Sequence, residues 1–480
     1  MNMRGLLKKT KKQSILFYKK YGSLTRVFGL LFLLVGLAFV FIVPPFQNPD
    51  EPMHFYRSYQ IASGQVSSVP NDDQVYGGDI PVSFRKFVAD SGIEHNYDYG
   101  YRFHLDYLSL LKYKYDGAKV FEGFPNTAIY SPLAYVPSTV AHVVVKTFNG
   151  PLLVALYLGR ILSLLFVFIA FVLAIKLIPV GKWILVVVGL LPMTIASAAS
   201  VSSDAMTIGV SVLFIAVVMN VAFLKQRPKV FLLIIFVALT LLLAFIKQAH
   251  IALLLFIVLI PFLNPYFRRK KPLIALICLS VLTVICFLVW YKHISPIVIN
   301  FDPLVQPGLQ KSFVLHHPVH FVTILLHTYF DNYANGIFIG LFGNFGWLTA
   351  TMPVPFMIFS AFIIYFAVTL KDKAELRTLA TLTKKQLLAF RLTLWGVFFA
   401  VVLLISTALY LYWTPYTQAF IIGIQGRYLL ALLPLLLIPF VGMGKGKQGI
   451  KKSTLVICIT IVLIAAVYIL KERFIGGYPS

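Results

Sequence analysis

Runs of about twenty apolar residues recur along the chain, each long enough to cross a hydrocarbon core of roughly 30 Å as a helix. Helices are the form to expect, because a spanning segment must satisfy its own backbone polar groups. The pattern predicts an all-α polytopic membrane protein with about 11 transmembrane helices, near 24–43, 152–178, 183–199, 205–224, 230–246, 249–263, 272–291, 353–370, 389–411, 427–442 and 453–470. It divides the chain into a basic N-terminus (1–23), the first helix (24–43), a large first loop (44–151), a transmembrane core (152–291), a second loop segment (292–352), C-terminal helices (353–470) and a short tail (471–480). The stretch 128–148 is apolar enough to cross but holds Pro132 and Pro137, and a crossing there would invert every later basic cluster. It is expected to lie as an embedded juxtamembrane segment at the outer face.

Composition agrees with a lipid-solvated chain: 59% of the 480 residues are hydrophobic and 12% charged. The formal charge of +25 would suit nucleic acid in a soluble protein. Here Lys and Arg gather in short clusters between apolar runs, at Lys8 to Lys20, Lys225 to Lys229, Arg268 to Lys271, Lys371 to Arg391 and Lys445 to Lys452. That pattern orients loops toward the cytoplasm, so membrane lipids rather than nucleic acid are the expected surroundings. The N-terminus is expected inside, with the first helix kept as an uncleaved anchor of the cytoplasmic membrane. Cys278, Cys286 and Cys458 all lie inside apolar runs, which argues against a disulfide framework or thiolate metal site.

Acidic residues are distributed differently. The first loop holds 11 of the 17 carboxylates: Asp50, Glu51, Asp72, Asp73, Asp79, Asp90, Glu94, Asp98, Asp106, Asp116 and Glu122. It opens with Pro44-Pro45-Phe46-Gln47-Asn48-Pro49-Asp50-Glu51-Pro52-Met53-His54-Phe55-Tyr56-Arg57. Pro52 suits a first helical position, Asp50 or Glu51 its cap and Gly64 its end, which predicts a helix over Pro52 to Ser63 with His54 and Arg57 on one face. A cap needs only one acid, whereas this site adds a second, with His54 and Arg57. The positive helix end favours ionised carboxylates beside it, so Asp50 or Glu51 is the candidate general base, with His54 and Arg57 as candidate substrate contacts.

Further ionisable residues fall on the same predicted side. Asp204 lies between two apolar spans, where a charge is expensive unless paired or functional, and a cap by Ser203 or Asp204 is the plain alternative. Lys247 is a cation against the inside bias, as an anionic partner or snorkelling would explain. Arg427, in Gln425-Gly426-Arg427-Tyr428, offers a planar fork suited to phosphate or carboxylate. Arg160, about 12 Å along its helix from the outer end, suits pairing inside the bundle at least as well as ligand binding. His316, His317 and His320 are interrupted by Pro318 and make a poor metal site. No phosphate-binding glycine loop is present.

Pro44-Pro45-Phe46-Gln47 with Asp50-Glu51-Pro52 and His54, then Gly343-Asn344-Phe345-Gly346-Trp347, then Gln425-Gly426-Arg427-Tyr428, resemble the hallmarks of the bacterial membrane proteins grouped as domain of unknown function 2142. That family is in turn similar to C-type integral membrane glycosyltransferases, which use polyprenyl-phosphate-linked sugars. The resemblance implies that fold and reaction class, with a polyprenyl-phosphate sugar donor, an envelope glycan, polymer or lipid as acceptor, and an extracytoplasmic active site. Asp50 or Glu51 would be the base, the other carboxylate orienting the acceptor or holding a divalent cation, Mg or Mn. Asp204, Lys247 and Arg427 would bind substrate. The competing class is a transporter or flippase for a lipid-linked or anionic solute, with the same three residues lining a path.

Overall fold

The computed structural model describes residues 24–98, 107–297, 303–332, 334–416, 418–443 and 451–475. The basic lead at Lys8 to Lys20, Asp106, Asp302, Lys445 and Lys447 lie outside these residues. Among the described residues six helices are long and apolar enough to cross a membrane: Leu24–Ile42, Leu152–Leu177, Ser203–Phe223, Lys270–Ile294, Lys384–Trp413 and Lys452–Phe474. A pair bent by 61°, Val354–Thr369 with Lys373–Leu379, makes a seventh if taken as one span.

Four other stretches expected to cross are short or interrupted. The 183–199 stretch is split into Lys182–Gly189 and Pro192–Ala198, and 230–246 holds the helix Val230–Leu242. The 249–263 stretch is mostly a 3-10 helix, Gln248–Val258, continued by Leu259–Leu263. The 427–442 stretch is broken into Gly426–Leu429, Leu433–Leu437 and Ile438–Phe440. Proline accounts for three of these breaks. Pro192, Pro434 and Pro439 each sit in the first turn of the piece that follows, where a missing N–H is tolerated but an unbroken helix is not.

Ser203–Phe223 is the central helix, 83% buried over its apolar window, whereas Lys270–Ile294 at 11% lies at the edge. At 1.5 Å per residue the central helix holds its ends about 30 Å apart. Beyond its C-terminus, Lys225 donates to the Thr381 carbonyl (3.2 Å), Asn264 donates to that of Gln226 (3.0 Å), and Lys452 pairs with Asp372 (3.0 Å). Basic connections thus share one face. There Glu375 accepts the N–H groups of Gly181 and Lys182, both at 3.0 Å, and holds the start of Lys182–Gly189.

At the opposite face the first loop folds on itself. Its helix runs Glu51–Ala62, with Asp50 at the N-cap and Gly64 at φ 92° just beyond, close to the expected Pro52 to Ser63. An antiparallel sheet follows, in which Val69–Pro70 pairs with Tyr76–Pro81 and the latter with Lys119–Gly123. A second pairing joins Asn344–Phe345 to Ala350–Thr351. These strands correct the all-α expectation for the loops. They are two to six residues long, and Gly77 and Gly78 leave no alternation to detect. Gln60 donates to the Gly77 carbonyl (3.0 Å) and ties the sheet to the loop helix.

The 128–148 stretch forms a 3-10 turn, Pro132–Tyr135, and a 12-residue helix, Val136–Thr147. That helix is about 18 Å long, well short of a hydrocarbon core of roughly 30 Å. It packs against the loop helix and Leu152–Leu177, burying Ala141, His142 and Val145 while Val140, Val143 and Val144 stay exposed. Phe46, Phe55, Phe84, Phe87 and Phe124 form a core of the loop that continues into Leu152 and Leu156, so the loop is seated on the bundle.

Candidate active site

The acidic pair splits in two directions. Glu51 is fully buried against Arg160, also 0% exposed, in a bidentate pair with Nε–Oε1 at 2.9 Å and Nη2–Oε2 at 2.6 Å. Glu51 Oε1 also accepts from the Val201 N–H (3.0 Å) and Asn48 Nδ2 (3.2 Å). The remaining Arg160 N–H groups donate to the carbonyls of Val40 (3.1 Å), Val43 (2.6 Å) and Pro44 (2.8 Å). One buried ion pair therefore binds the end of the first helix, the loop helix and the approach to the central helix. Of the two roles its depth left open, Arg160 takes pairing inside the bundle.

Asp50 faces the other way, on the wall of a cavity of about 560 Å³. It adopts φ 60°, a left-handed conformation uncommon outside glycine, and although it occupies the N-cap its side chain caps nothing. Instead its carboxylate accepts from Asn126 Nδ2 (3.3 Å) and lies 3.9 Å from Arg427 Nη2. Its side chain is 42% exposed, toward the cavity. The capping explanation for this acid is thereby removed.

Asp50, His54, Asp204, Lys247 and Arg427 all line this cavity; Glu51 and Arg57 do not. Arg57 is buried behind the wall, donating to the carbonyls of Val66 (2.7 Å) and Tyr130 (3.3 Å), so it fixes the loop that presents Tyr130. Asp204 forms an ion pair with Lys247, and the cap of the central helix is Ser202, which accepts the Asp204 N–H (3.2 Å). The alternative of a cap by Ser203 or Asp204 gives way to Ser202, one or two residues earlier. Lys247 also lies 5.1 Å from the Tyr428 ring and 5.6 Å from the Tyr130 ring, and Arg427 lies 5.7 Å from Tyr428.

Although its side chain opens on the cavity, the surrounding protein limits solvation of the Asp50 carboxyl and raises it above the ordinary carboxylate value, only partly opposed by Arg427 and Lys247. Burial depresses His54 to about 3. His54 is thus a neutral ring, held at Nδ1 2.7 Å from the Tyr135 hydroxyl, and not a cation for an anionic ligand. No group of three or more His, Cys, Asp or Glu that could hold a metal ion occurs among the described residues. The second carboxylate does not fit the divalent cation suggested for it, because the oxygens of Glu51 are taken by Arg160, Val201 and Asn48. His316, His317 and His320 are exposed and off the cavity wall.

Three separated sequence motifs meet here. The first contributes Asn48, Pro49, Asp50 and His54, the second Asn344 to Trp347, and the third Gln425, Arg427 and Tyr428. The Trp347 indole donates to the Phe46 carbonyl (2.9 Å), joining the second motif to the first. Gly426 joins the third to the helix Ala334–Phe342, since a Cβ there would stand 2.1 Å from the Ile337 carbonyl oxygen and 2.3 Å from the Leu341 nitrogen. Backbone cannot yield to that approach. Gly426→Ala is expected to lower stability by about 1–3 kcal/mol through overpacking and to displace Arg427; a melting temperature equal to the parent's would show the packing to be looser than this.

The residues missed from sequence include Asn126, Tyr130, Tyr97 and Met193. They come from turns, the short helix Pro125–Ala128 and a broken helix with no motif spacing, and no signal in the chain marks them. The long helix adds an apolar wall of Ile405, Ala408, Leu409 and Tyr412.

No curated protein and no solved structure matches this chain. The family described as "Predicted membrane protein (DUF2142)" matches residues 32–436, a range that contains all three motifs and every cavity-lining residue named above. The chain belongs to the DUF2142 family of membrane proteins.

Proposed function

We propose that this protein is a membrane glycosyltransferase that moves a sugar from a polyprenyl-phosphate carrier to a cell-envelope glycan, polymer or lipid at the outer face of the bacterial cytoplasmic membrane. The observation that carries this reading is one cavity in which the uncapped carboxylate Asp50 stands opposite Arg427 and Lys247, beside an apolar wall. A lipid phosphate needs the cations and the wall; an acceptor hydroxyl needs the base. The one-sided basic connections support an orientation with the cavity outside.

Asp50 takes the proton of the acceptor hydroxyl as its oxygen attacks the anomeric carbon. The bond from that carbon to the phosphate oxygen breaks, and polyprenyl phosphate leaves with the electron pair. Arg427 and Lys247 hold the negative charge that develops on the leaving phosphate, while Asp204 positions Lys247. A single displacement inverts the anomeric centre. Asp50 acts as an acceptor of one proton and needs no metal for that step.

Arg427→Gln tests the phosphate assignment. In full-length protein in lipid nanodiscs it is expected to weaken binding of polyprenyl phosphate by about 10-fold or more, the loss of a charge-assisted contact. Unchanged binding would remove Arg427 as the phosphate contact, and lipid flipping or solute uptake without sugar transfer would replace the transferase reading with a transport one.

A further inference from the structure

Four residues of the cavity wall carry buried polar groups with unmet hydrogen-bonding capacity among the described residues: Asn126 at Oδ1, the His250 ring, Gln425 at Oε1 and Arg427 at Nε; the Asn126 amide is already committed to Asp50 through Nδ2. His250 is only 3% exposed. Buried polar atoms are nearly always paired, and an unpaired one is costly. Such groups on residues that line one cavity point to a ligand that completes their bonding there.

Their chemistry defines that ligand. Arg427 Nε–H can only donate and Gln425 Oε1 can only accept. A neutral imidazole has one donor and one acceptor nitrogen. The His250 ring faces the Lys247 carbonyl, without a well-aligned bond, which draws the N–H to that side and leaves an acceptor on the other. Two acceptors and a donor are not satisfied by a phosphate, whose oxygens in the ionised form only accept. Hydroxyls, each able to give and take a hydrogen bond, satisfy donor and acceptors alike.

We infer that His250, Gln425 and the Nε edge of Arg427 form the subsite for a hydroxylated ring, the sugar carried by the lipid donor, with the phosphate toward Lys247 and the other edge of Arg427. This assignment rests on the transferase reading and names which wall recognises the sugar. It makes His250 a binding residue acting as a neutral hydrogen-bond acceptor.

The test compares binding of bare polyprenyl phosphate with the same lipid carrying glucose, galactose, mannose, N-acetylglucosamine or ribose, using full-length protein in nanodiscs. The parent is expected to prefer at least one glycosylated lipid over the bare lipid by about 10-fold or more, and His250→Phe and Gln425→Leu to erase that preference while bare-lipid affinity stays within about twofold. His250→Phe should also keep or raise the melting temperature, because it removes a buried group with unmet bonds. Equal losses for bare and glycosylated lipid would assign the wall to the phosphate, and unchanged preference in both variants, or a parent with no preference, would likewise overturn the subsite. Asp50→Asn should retain the preference without transfer. A parent that prefers a glycosylated lipid yet transfers nothing would keep the subsite and end the transferase reading.

Discussion

Asp50→Asn will lower sugar transfer by about 10²–10⁴-fold, the range for removing a positioned general base, while leaving the protein folded and able to bind lipid. The size follows from the role, and the intact fold follows from the geometry. Among the described residues the Asp50 side chain caps no helix and holds only the 3.3 Å bond from Asn126 and the 3.9 Å approach to Arg427. The raised pKa sets the sign of two further readouts. Transfer requires the ionised carboxylate, so activity in the parent rises with pH through the raised Asp50 pKa and is lost as pH falls below it. Stability runs the other way. Across the window from the ordinary carboxylate value up to the raised one, the folded state binds more protons than the unfolded state, so stability falls as pH rises. At neutral pH Asp50→Asn should therefore hold or raise the melting temperature while transfer collapses. Transfer at the parent rate would exclude Asp50 as the base.

The site was legible in part, for identifiable reasons. Asp204, Lys247 and Arg427 could be singled out because ionisable groups beside apolar runs demand a partner or a function, and these three do line one cavity with Asp50 and His54. Their mutual placement depends on how helices pack, which linear order does not contain; Lys247 finds Asp204 from 43 positions away in sequence only through that packing. His54 was visible as a polar residue on the loop helix, but its neutrality comes from burial, which depends on Tyr130 and Tyr135 closing over it. Arg57 shares the helix with His54 yet turns to the Val66 and Tyr130 carbonyls, because the loop after the helix folds back over it. Apolar stretches located the bundle, but the 3-10 course of Gln248–Val258 was invisible to a hydropathy window. That course places both Lys247 and His250 on the cavity wall.

Glu51 could not be distinguished from Asp50 by residue type, and its expected response to mutation is opposite. Glu51→Ala or Arg160→Ala should each destabilise the protein by about 3–5 kcal/mol, because either change leaves a buried charge without its partner. Against a typical total of about 5–15 kcal/mol that loss is large enough to threaten folding. The consequence reaches the cavity, since Glu51 is the chain neighbour of Asp50 and its bond to the Val201 N–H anchors the approach to Asp204. Transfer should fall in these variants together with stability. Glu51→Leu combined with Arg160→Met should cost less than the sum of the single alanine changes, because no lone charge is then buried. Unfolding in a denaturing-detergent titration, read beside transfer, separates the two acids. If Glu51→Gln keeps the parent's stability but loses transfer, while Asp50→Asn does the reverse, the base is Glu51 and the buried pair with Arg160 must open during the reaction.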